Sequence, residues 1–273
     1  MTAQDRLRAA RGFVLDVDGT LVLGTRDGGD FTPLPGAVEL TALLADRGVP
    51  YVVFTNGSAK SPGYYVDALR AIGLTVPDEG VLTPVSSAID VLTARGHRRV
   101  LVLGTRDGIG APLTEAGLQP LFTGEHAGAD AVLIGLHRRF GMADLDAAYD
   151  AVSAGAALYT CSEARFVATA TGDKLGTSRA IAGAVHAVTG VHAELVGKPS
   201  RHAVDTVAHR LGVPAHELVI VGDDPDLEIG MARRAGALGV LVGNDGSADA
   251  DLRLDGVDAL VALLLEPTYR RLP

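Results

Sequence analysis

Two carboxylates separated by one residue, Asp16 and Asp18, follow directly after the apolar run Gly12–Leu15. Open α/β sheets bind their ligands at the carboxyl ends of parallel strands, which is where this pair would lie. Such a pair can hold a hard cation through its oxygens, or one carboxylate can attack a substrate while the other transfers protons. The alternative is an ordinary turn around Gly19, because Asp and Gly are common where strands end.

Three later segments, each after an apolar run, carry groups that suit a phosphate ester. Thr55 and the backbone N–H groups after it can bind a phosphoryl oxygen. Lys198 supplies a positive charge, and Asp223 offers a further carboxylate for a metal. Each segment also has an ordinary interpretation, as a helix N-cap, an exposed turn lysine or an acid at a helix start. The functional interpretation therefore depends on all four segments occurring together in this order.

In this order, the four segments resemble the signatures of the haloacid dehalogenase (HAD) superfamily of phosphatases. The matching signatures are Asp16-x-Asp18, Thr55, Lys198 and Gly222-Asp223. The long gap between Thr55 and Lys198 resembles the NagD-like branch, which includes p-nitrophenyl phosphatase-like and pyridoxal phosphate phosphatase-like enzymes. In that branch a cap domain is inserted after the second signature. Across the cap the resemblance depends on residues 132–140 and 165–169.

The resemblance implies a role for each signature residue. Asp16 would be the nucleophile that forms an aspartyl-phosphate, and Asp18 would protonate the leaving oxygen and then deprotonate water. The phosphoryl group would be bound by Thr55, Asn56, Gly57 and Lys198. The cofactor Mg²⁺ would be held by Asp16, the backbone carbonyl of Asp18, and Asp223.

The fourth signature departs from the family pattern at its second acid. That acid is commonly Asp, whereas Glu228 stands at the matching position, with Asp224 and Asp226 nearby. The sequence leaves open which of these three acids supports the metal.

Further departures concern the loop 23–30 and the cap. The loop is longer than the family pattern implies, and we interpret it as a surface loop. His137 stands where relatives carry Asp, and we interpret it as an exposed cap histidine. The Asn-containing signature expected near residues 168–173 is missing. Because these cap positions face the substrate in the family, the substrates known for the family do not transfer to this chain.

Short apolar runs alternate with helical patterns along most of the chain. Strands are predicted at 12–15, 50–54, 195–196, 218–221 and 238–242, and helices at 35–47, 62–72, 201–211 and 226–235. Unbroken apolar runs suit parallel strands covered on both faces, so the pattern favours an α/β fold with a doubly wound, mainly parallel sheet.

The middle of the chain has its own strand candidates at 100–103, 131–134 and 158–161. Composition leaves open whether they continue one sheet or form a second domain. The resemblance implies the second arrangement, with an α/β cap at 91–190 inserted between core segments 1–90 and 191–273.

The overall composition limits which classes of partner and which cellular compartment suit the chain. The formal net charge is −9, and arginines occur at most in isolated pairs, which argues against nucleic-acid binding. No segment approaches the roughly 18 apolar residues of a membrane span, and none looks like a signal peptide. Cys161 is the single cysteine, which suits a reducing compartment and a buried structural role. We therefore predict a cytoplasmic protein whose partner is a small phosphorylated metabolite, and the branch implies a possible homodimer through the cap.

Three other functions fit parts of the pattern. A haloacid dehalogenase also uses an Asp nucleophile but needs neither the metal nor a second acid, so Asp18 and Asp223 argue against it. A phosphoryl transferase keeps all four signatures and differs in its acceptor. A non-catalytic phosphate-ligand sensor is the third, because fold does not fix function.

Overall fold

The structure is a computed structural model that describes residues 2–24, 31–167, 174–243 and 249–266. Most of the loop 23–30, and the cap segment 168–173, therefore lie outside the described residues. Within the described ranges, no helix combines the length and the apolar character needed to cross a bilayer.

The first part of the chain contributes one half of a large sheet. Its elements are α1 (Ala3–Arg8), β1 (Gly12–Leu15), β2 (Val22–Leu23), β3 (Thr32–Pro33), α2 (Ala37–Asp46), β4 (Tyr51–Phe54), α3 (Pro62–Ala71) and β5 (Val81–Leu82). The short strands β2 and β3 form a separate antiparallel ribbon, which the apolar pattern did not predict.

The middle part builds a second sheet with its own helices. Its elements are α4 (Pro84–Ala94), β6 (Arg99–Leu103), a π-helical turn (Arg106–Gly110), α5 (Ala111–Glu115), β7 (Gln119–Leu121), β8 (Ala131–Ile134), α6 (Met142–Ser153), β9 (Ala157–Thr160), β10 (Phe166–Val167), β11 (Lys174–Leu175), α7 (Thr177–Thr189) and β12 (Glu194–Leu195).

The last part returns to the first sheet and completes it. Its elements are α8 (Arg201–Leu211), a 3₁₀ turn (Ala215–Glu217), β13 (Leu218–Gly222), a π-helical turn (Pro225–Ile229), α9 (Gly230–Ala235), β14 (Leu238–Val242), β15 (Leu252–Leu254) and α10 (Val257–Leu265).

The core sheet has the order β15-β14-β13-β1-β4-β5, and all its neighbouring strands are parallel. Alternate residues of β1 pack on opposite faces because successive strand side chains point to opposite sides. Phe13 and Leu15 join a cluster with α2, α3 and α10, whereas Val14 joins one with α8 and α9. Helices thus cover both faces, and the predicted doubly wound, mainly parallel sheet is confirmed.

The cap sheet has the order β12-β9-β8-β6-β7 and is also parallel throughout. Helices α6 and α7 pack on one face with Val132 and Ile134, and α4 and α5 pack on the other with Leu133. The middle of the chain is therefore a second α/β layered body, which confirms the inserted cap.

The predicted domain bounds, 1–90 with 191–273 for the core and 91–190 for the cap, stay a prediction. Two elements do not follow these predicted bounds. Helix α4 packs into the cap cluster through Val85 and Leu92, and Glu194–Leu195 pairs with β9 of the cap sheet. We therefore propose that the chain passes between core and cap near residues 83 and 196.

Candidate active site

The carboxyl ends of three adjacent parallel strands carry the predicted groups. Asp16 follows β1, Thr55 follows β4 on one side of it, and Asp223 follows β13 on the other. Lys198 enters from the turn between β12 and α8, which Ser200 caps by accepting from the Ala203 N–H at 3.1 Å. The fold thus brings together side chains that are up to about two hundred residues apart in sequence.

Lys198 is fully enclosed, with 1% of its surface exposed. Its Nζ lies 2.5 Å from Asp16 Oδ1, 2.6 Å from Glu228 Oε1, and donates to the Phe54 carbonyl oxygen at 2.6 Å. Burial alone would lower the pKa of Lys198, but the charges of Asp16 and Glu228 outweigh it and raise that pKa. The ammonium is therefore a fixed positive charge beside the Asp16 carboxylate.

Asp18 lies in the cleft beside Asp16, and its side chain still reaches solvent. Desolvation by the surrounding protein, followed by the nearby Asp16 charge, raises the pKa of Asp18 to about 6. Thr55 Oγ1 lies 3.5 Å from Asp18 Oδ2 and accepts the Gly57 N–H at 2.9 Å. The Asp18 carboxyl is thus suited to gain and lose a proton near neutral pH.

Gly19 lets the loop after β1 close onto Asp223. Its φ is +85°, a conformation that side chains rarely adopt, and a Cβ at this position would overlap the Asp223 carboxylate. Glycine is therefore favoured at position 19 for two reasons, the positive φ and the close packing of the first signature segment against Asp223.

Asp16, Asp223 and Glu228 each offer a carboxylate oxygen, and these oxygens lie within 4.8 Å of one another. Glu228 is buried, and its Oε1 forms an ion pair with Lys198 Nζ at 2.6 Å. With Asp18, the site holds four carboxylates and one ammonium. Oxygen ligands with excess negative charge are the donor set that Mg²⁺ prefers, so the residues present fit a divalent cation.

The same environment raises the pKa values of the other two acids in the cluster. Burial, with the charge of Asp16 added, raises the pKa of Asp223 to about 7. Burial also raises the pKa of Glu228, against the attraction of Lys198. Both shifts come first from burial and then in part from the negative charge of Asp16, and a bound cation would oppose both effects.

The structure distinguishes the three acids that the sequence left open. Asp224 Oδ1 accepts the N–H groups of Asp226 and Leu227, at 2.7 and 3.0 Å, and so caps the π-helical turn. Asp226 is exposed, and Glu228 is the acid in the carboxylate cluster. The turn also places Glu228 Oε2 3.2 Å from the Asp224 N–H.

Asn56 and Gly57 were predicted to bind the phosphoryl group, and this stays a prediction. In the structure the Asn56 carboxamide bonds to the backbone of Lys198, and the Gly57 N–H bonds to Thr55. The two Asn56 contacts were not deducible from the sequence, because they join residues that are 142 positions apart.

The cap carries a cavity of about 280 Å³ lined by His137, Arg138, Phe140, Leu175, Thr177, Ala180 and Ile181. The expectation that His137 is an exposed histidine was wrong. Its side chain is 23% exposed, its Nε2 lies 3.4 Å from Asp144, and its ring packs edge-on against Phe140. Cys161 is fully buried and burial raises its pKa to about 12, which agrees with a structural role.

Two family models match the chain, one over the first core segment and the start of the cap, and one over the last core segment. A haloacid dehalogenase-like hydrolase model matches residues 13–119, and a HAD-hydrolase-like model matches residues 195–265. Together they contain Asp16, Thr55, Lys198 and Asp223. The chain belongs to the haloacid dehalogenase-like hydrolases.

This hydrolase is similar over most of its length to known phosphatases. It is 29% identical to the 5′-nucleotidase YutF of Bacillus subtilis, over 86% of this chain and 88% of that one. It is 28% identical to the phospholysine phosphohistidine inorganic pyrophosphate phosphatase of Bos taurus, over 96% of this chain and 97% of that one.

Solved structures share both the core and the cap of the hydrolase. The 4-nitrophenylphosphatase of Thermotoga maritima matches with a TM-score of 0.83 and 25% identity, over 94% of this chain and 98% of that one. NagD of E. coli K-12 matches with a TM-score of 0.79 and 21% identity, over 94% and 98%. The resemblance to the NagD-like phosphatases is confirmed, and the hydrolase is a phosphatase of this type.

Proposed function

We propose that this phosphatase hydrolyses phosphate monoesters of small metabolites, with Mg²⁺ as cofactor and an aspartyl-phosphate on Asp16 as intermediate. One observation carries the proposal. Asp16 has the ammonium of Lys198 against one oxygen and the carboxylates of Asp223 and Glu228 within a metal ion's reach. The Asp16 carboxylate would therefore act as the nucleophile while it lies beside both the cation that binds the phosphate and the acids that bind the metal.

In the first step the Asp16 carboxylate attacks phosphorus, the bond from phosphorus to the ester oxygen breaks, and Asp18 gives its proton to that oxygen. In the second step water loses a proton to Asp18 and attacks the aspartyl-phosphate, which frees inorganic phosphate and Asp16. Thr55 and Lys198 hold phosphoryl oxygens through both steps. A pKa near 6 lets Asp18 carry the proton in one step and accept it in the next.

Asp16, Asp223 and Glu228 would hold the metal, and the Asp18 backbone carbonyl stays a predicted further ligand. The metal supplies charge neutralisation between the carboxylates and the phosphate. This role is needed because a carboxylate and a phosphate dianion repel strongly at contact distance. The relatives support the substrate class, since their names describe a nucleotidase, a nitrophenylphosphatase and, in Staphylococcus aureus, an acid sugar phosphatase. The cytoplasmic location, a homodimer through the cap, and the absence of nucleic-acid and membrane partners stay predictions.

The test is release of phosphate from p-nitrophenyl phosphate with Mg²⁺ and with EDTA. We expect activity with Mg²⁺, its loss with EDTA, and its loss in Asp16→Asn and Asp18→Asn. Asp226→Asn is the matched control, because the same change is made to an exposed acid outside the cluster, and it should keep wild-type activity. Activity that survives Asp16→Asn would remove Asp16 as the nucleophile. An inactive wild type that binds phosphate would favour the sensor function.

A further inference from the structure

Asn56 joins the loop after β4 to the lysine loop through both ends of its carboxamide. Its Nδ2 donates to the Lys198 carbonyl oxygen at 3.0 Å, and its Oδ1 accepts the Lys198 N–H at 2.9 Å. Asn56 follows Phe54 by two residues, and the Phe54 carbonyl accepts Lys198 Nζ. The same core segment thus holds both the backbone and the ammonium of Lys198.

The chain needs such an anchor because Lys198 lies only three residues after the cap strand β12 (Glu194–Leu195). Gly197 lies between them, and a Cβ there would overlap the Cys161 carbonyl oxygen and crowd Asn56 Oδ1. The backbone therefore leaves the cap and meets the core within about one residue. Without a bond to the core, any shift of the cap strand would reach Lys198 through only three peptide bonds.

We propose that Asn56 is a positioning residue: its carboxamide fixes the backbone of Lys198, so that Nζ stays against Asp16 wherever the cap lies. The inference rests on the proposed function, in which Lys198 binds the phosphoryl group. It assigns the Asn56 side chain to the enzyme's own backbone, in contrast to the phosphate contact expected from the sequence. Small displacements of a catalytic group are costly, so loss of the anchor should lower kcat/KM about tenfold to a hundredfold.

A double-mutant cycle between Asn56→Ala and Lys198→Ala distinguishes a positioning role of Asn56 from direct contact between Asn56 and the substrate. If Asn56 acts through Lys198, Asn56→Ala lowers kcat/KM in the wild type but adds little once Lys198 is already Ala. Independent, multiplying losses would overturn the proposal, because they would show that Asn56 contacts the substrate itself. Asn56→Ala with wild-type kcat/KM would overturn it too.

Two further variants are controls for a general loss of structure in the loop. Asn56→Asp is nearly isosteric, keeps the acceptor for the Lys198 N–H, and puts an oxygen against the Lys198 carbonyl, so it should also lose activity. Ser58→Ala removes a different bond in the same loop, in which Ser58 Oγ accepts the Leu136 N–H of the cap at 2.9 Å. Whatever loss Ser58→Ala causes should be equal in the wild-type and Lys198→Ala backgrounds.

Hydrogen exchange of the Lys198 amide tests the anchor without any activity. Asn56→Ala removes its acceptor and should speed its exchange, whereas Asn56→Asp and Ser58→Ala should leave the exchange near the wild-type rate. Unchanged exchange in Asn56→Ala would overturn the anchor. A wild type without phosphatase activity would instead refute the proposed function, and the exchange rates would still decide the role of Asn56.

Discussion

Asp223 shows how the acids of the site depend on a cation. Its pKa is raised from 3.8 to about 7, first by burial and then by Asp16. An acid whose folded-state pKa is raised stabilises the fold while protonated, and this stability is lost as pH rises through that value. A metal binds the ionised form and competes with the proton, so its effect should grow over the same range.

We therefore expect the melting temperature without metal to fall between about pH 4 and pH 7, where Asp223 is ionised in the unfolded chain but still protonated in the folded protein. Mg²⁺ should raise the melting temperature more at the upper end of this range than at the lower end. Thermal unfolding with saturating Mg²⁺ and with EDTA measures both effects. In Asp223→Asn the metal-dependent shift should shrink. An equal Mg²⁺ shift at both ends of the range would contradict the account.

A second prediction concerns Gly19, because alanine at this position would destabilise the fold in two separate ways. The positive φ costs about 1–3 kcal/mol of stability in a non-glycine residue, and the added Cβ overlaps Asp223. We expect Gly19→Ala to lose stability and also to bind Mg²⁺ more weakly.

Gly117→Ala is the matched control for Gly19→Ala. Gly117 has a φ of +77°, and its Cβ would enter open space. Denaturant unfolding should show a loss in both variants, whereas Mg²⁺ titration should differ from wild type only for Gly19→Ala. Wild-type Mg²⁺ affinity in Gly19→Ala would show that the Asp223 carboxylate can move without consequence.

At the scale of elements, the turn after β13 decides which acid serves the site. The sequence predicts one helix over 226–235, but the structure has a π-helical turn at Pro225–Ile229 followed by α9 (Gly230–Ala235). Asp224 caps the turn, and the turn directs Glu228 back toward Lys198. Gly222 permits this, since a Cβ there would overlap the Glu228 side chain.

Removing the Glu228 charge should therefore weaken the metal site. We expect Glu228→Gln to lower Mg²⁺ affinity about tenfold or more, a size typical of groups that support metal ligands. Asp226→Asn makes a similar change two residues away, on an exposed side chain, and should leave the affinity unchanged. Calorimetric titration with Mg²⁺ compares the two, and equal affinities would exclude Glu228 from the site.

The elements also show what a sequence can and cannot predict. Strands such as β13 (Leu218–Gly222) were predictable because a buried parallel strand is apolar on both faces. Asp16, Thr55 and Asp223 were predictable as a group because parallel strands end at the same edge. The place of Glu228 was not predictable, because helical spacing alone cannot distinguish a helix cap, an exposed acid and a buried member of the carboxylate cluster within five residues.

For the whole molecule, the chain forms two separately packed α/β bodies, one around each of the two large parallel sheets. The cap was predictable from the gap between the signatures, and a strand was predicted at 195–196, but its place in the cap sheet was not predictable. That place depends on the pairing of Glu194–Leu195 with β9. The same holds for Asn56, whose bonds to Lys198 form only when the core and the lysine loop meet.

The most direct test of the whole account is to trap phosphate on Asp16. The protein with Mg²⁺ is mixed with p-nitrophenyl phosphate, quenched in acid, digested, and analysed by mass spectrometry. The nitrophenolate leaves without help from an acid, so Asp18→Asn should form the intermediate yet hydrolyse it slowly. We predict a phosphoryl group on Asp16 that accumulates in Asp18→Asn and is missing in Asp16→Asn. Turnover of the wild type with no phosphorylated Asp16 in any quenched sample, or with the phosphoryl group on another residue, would contradict it.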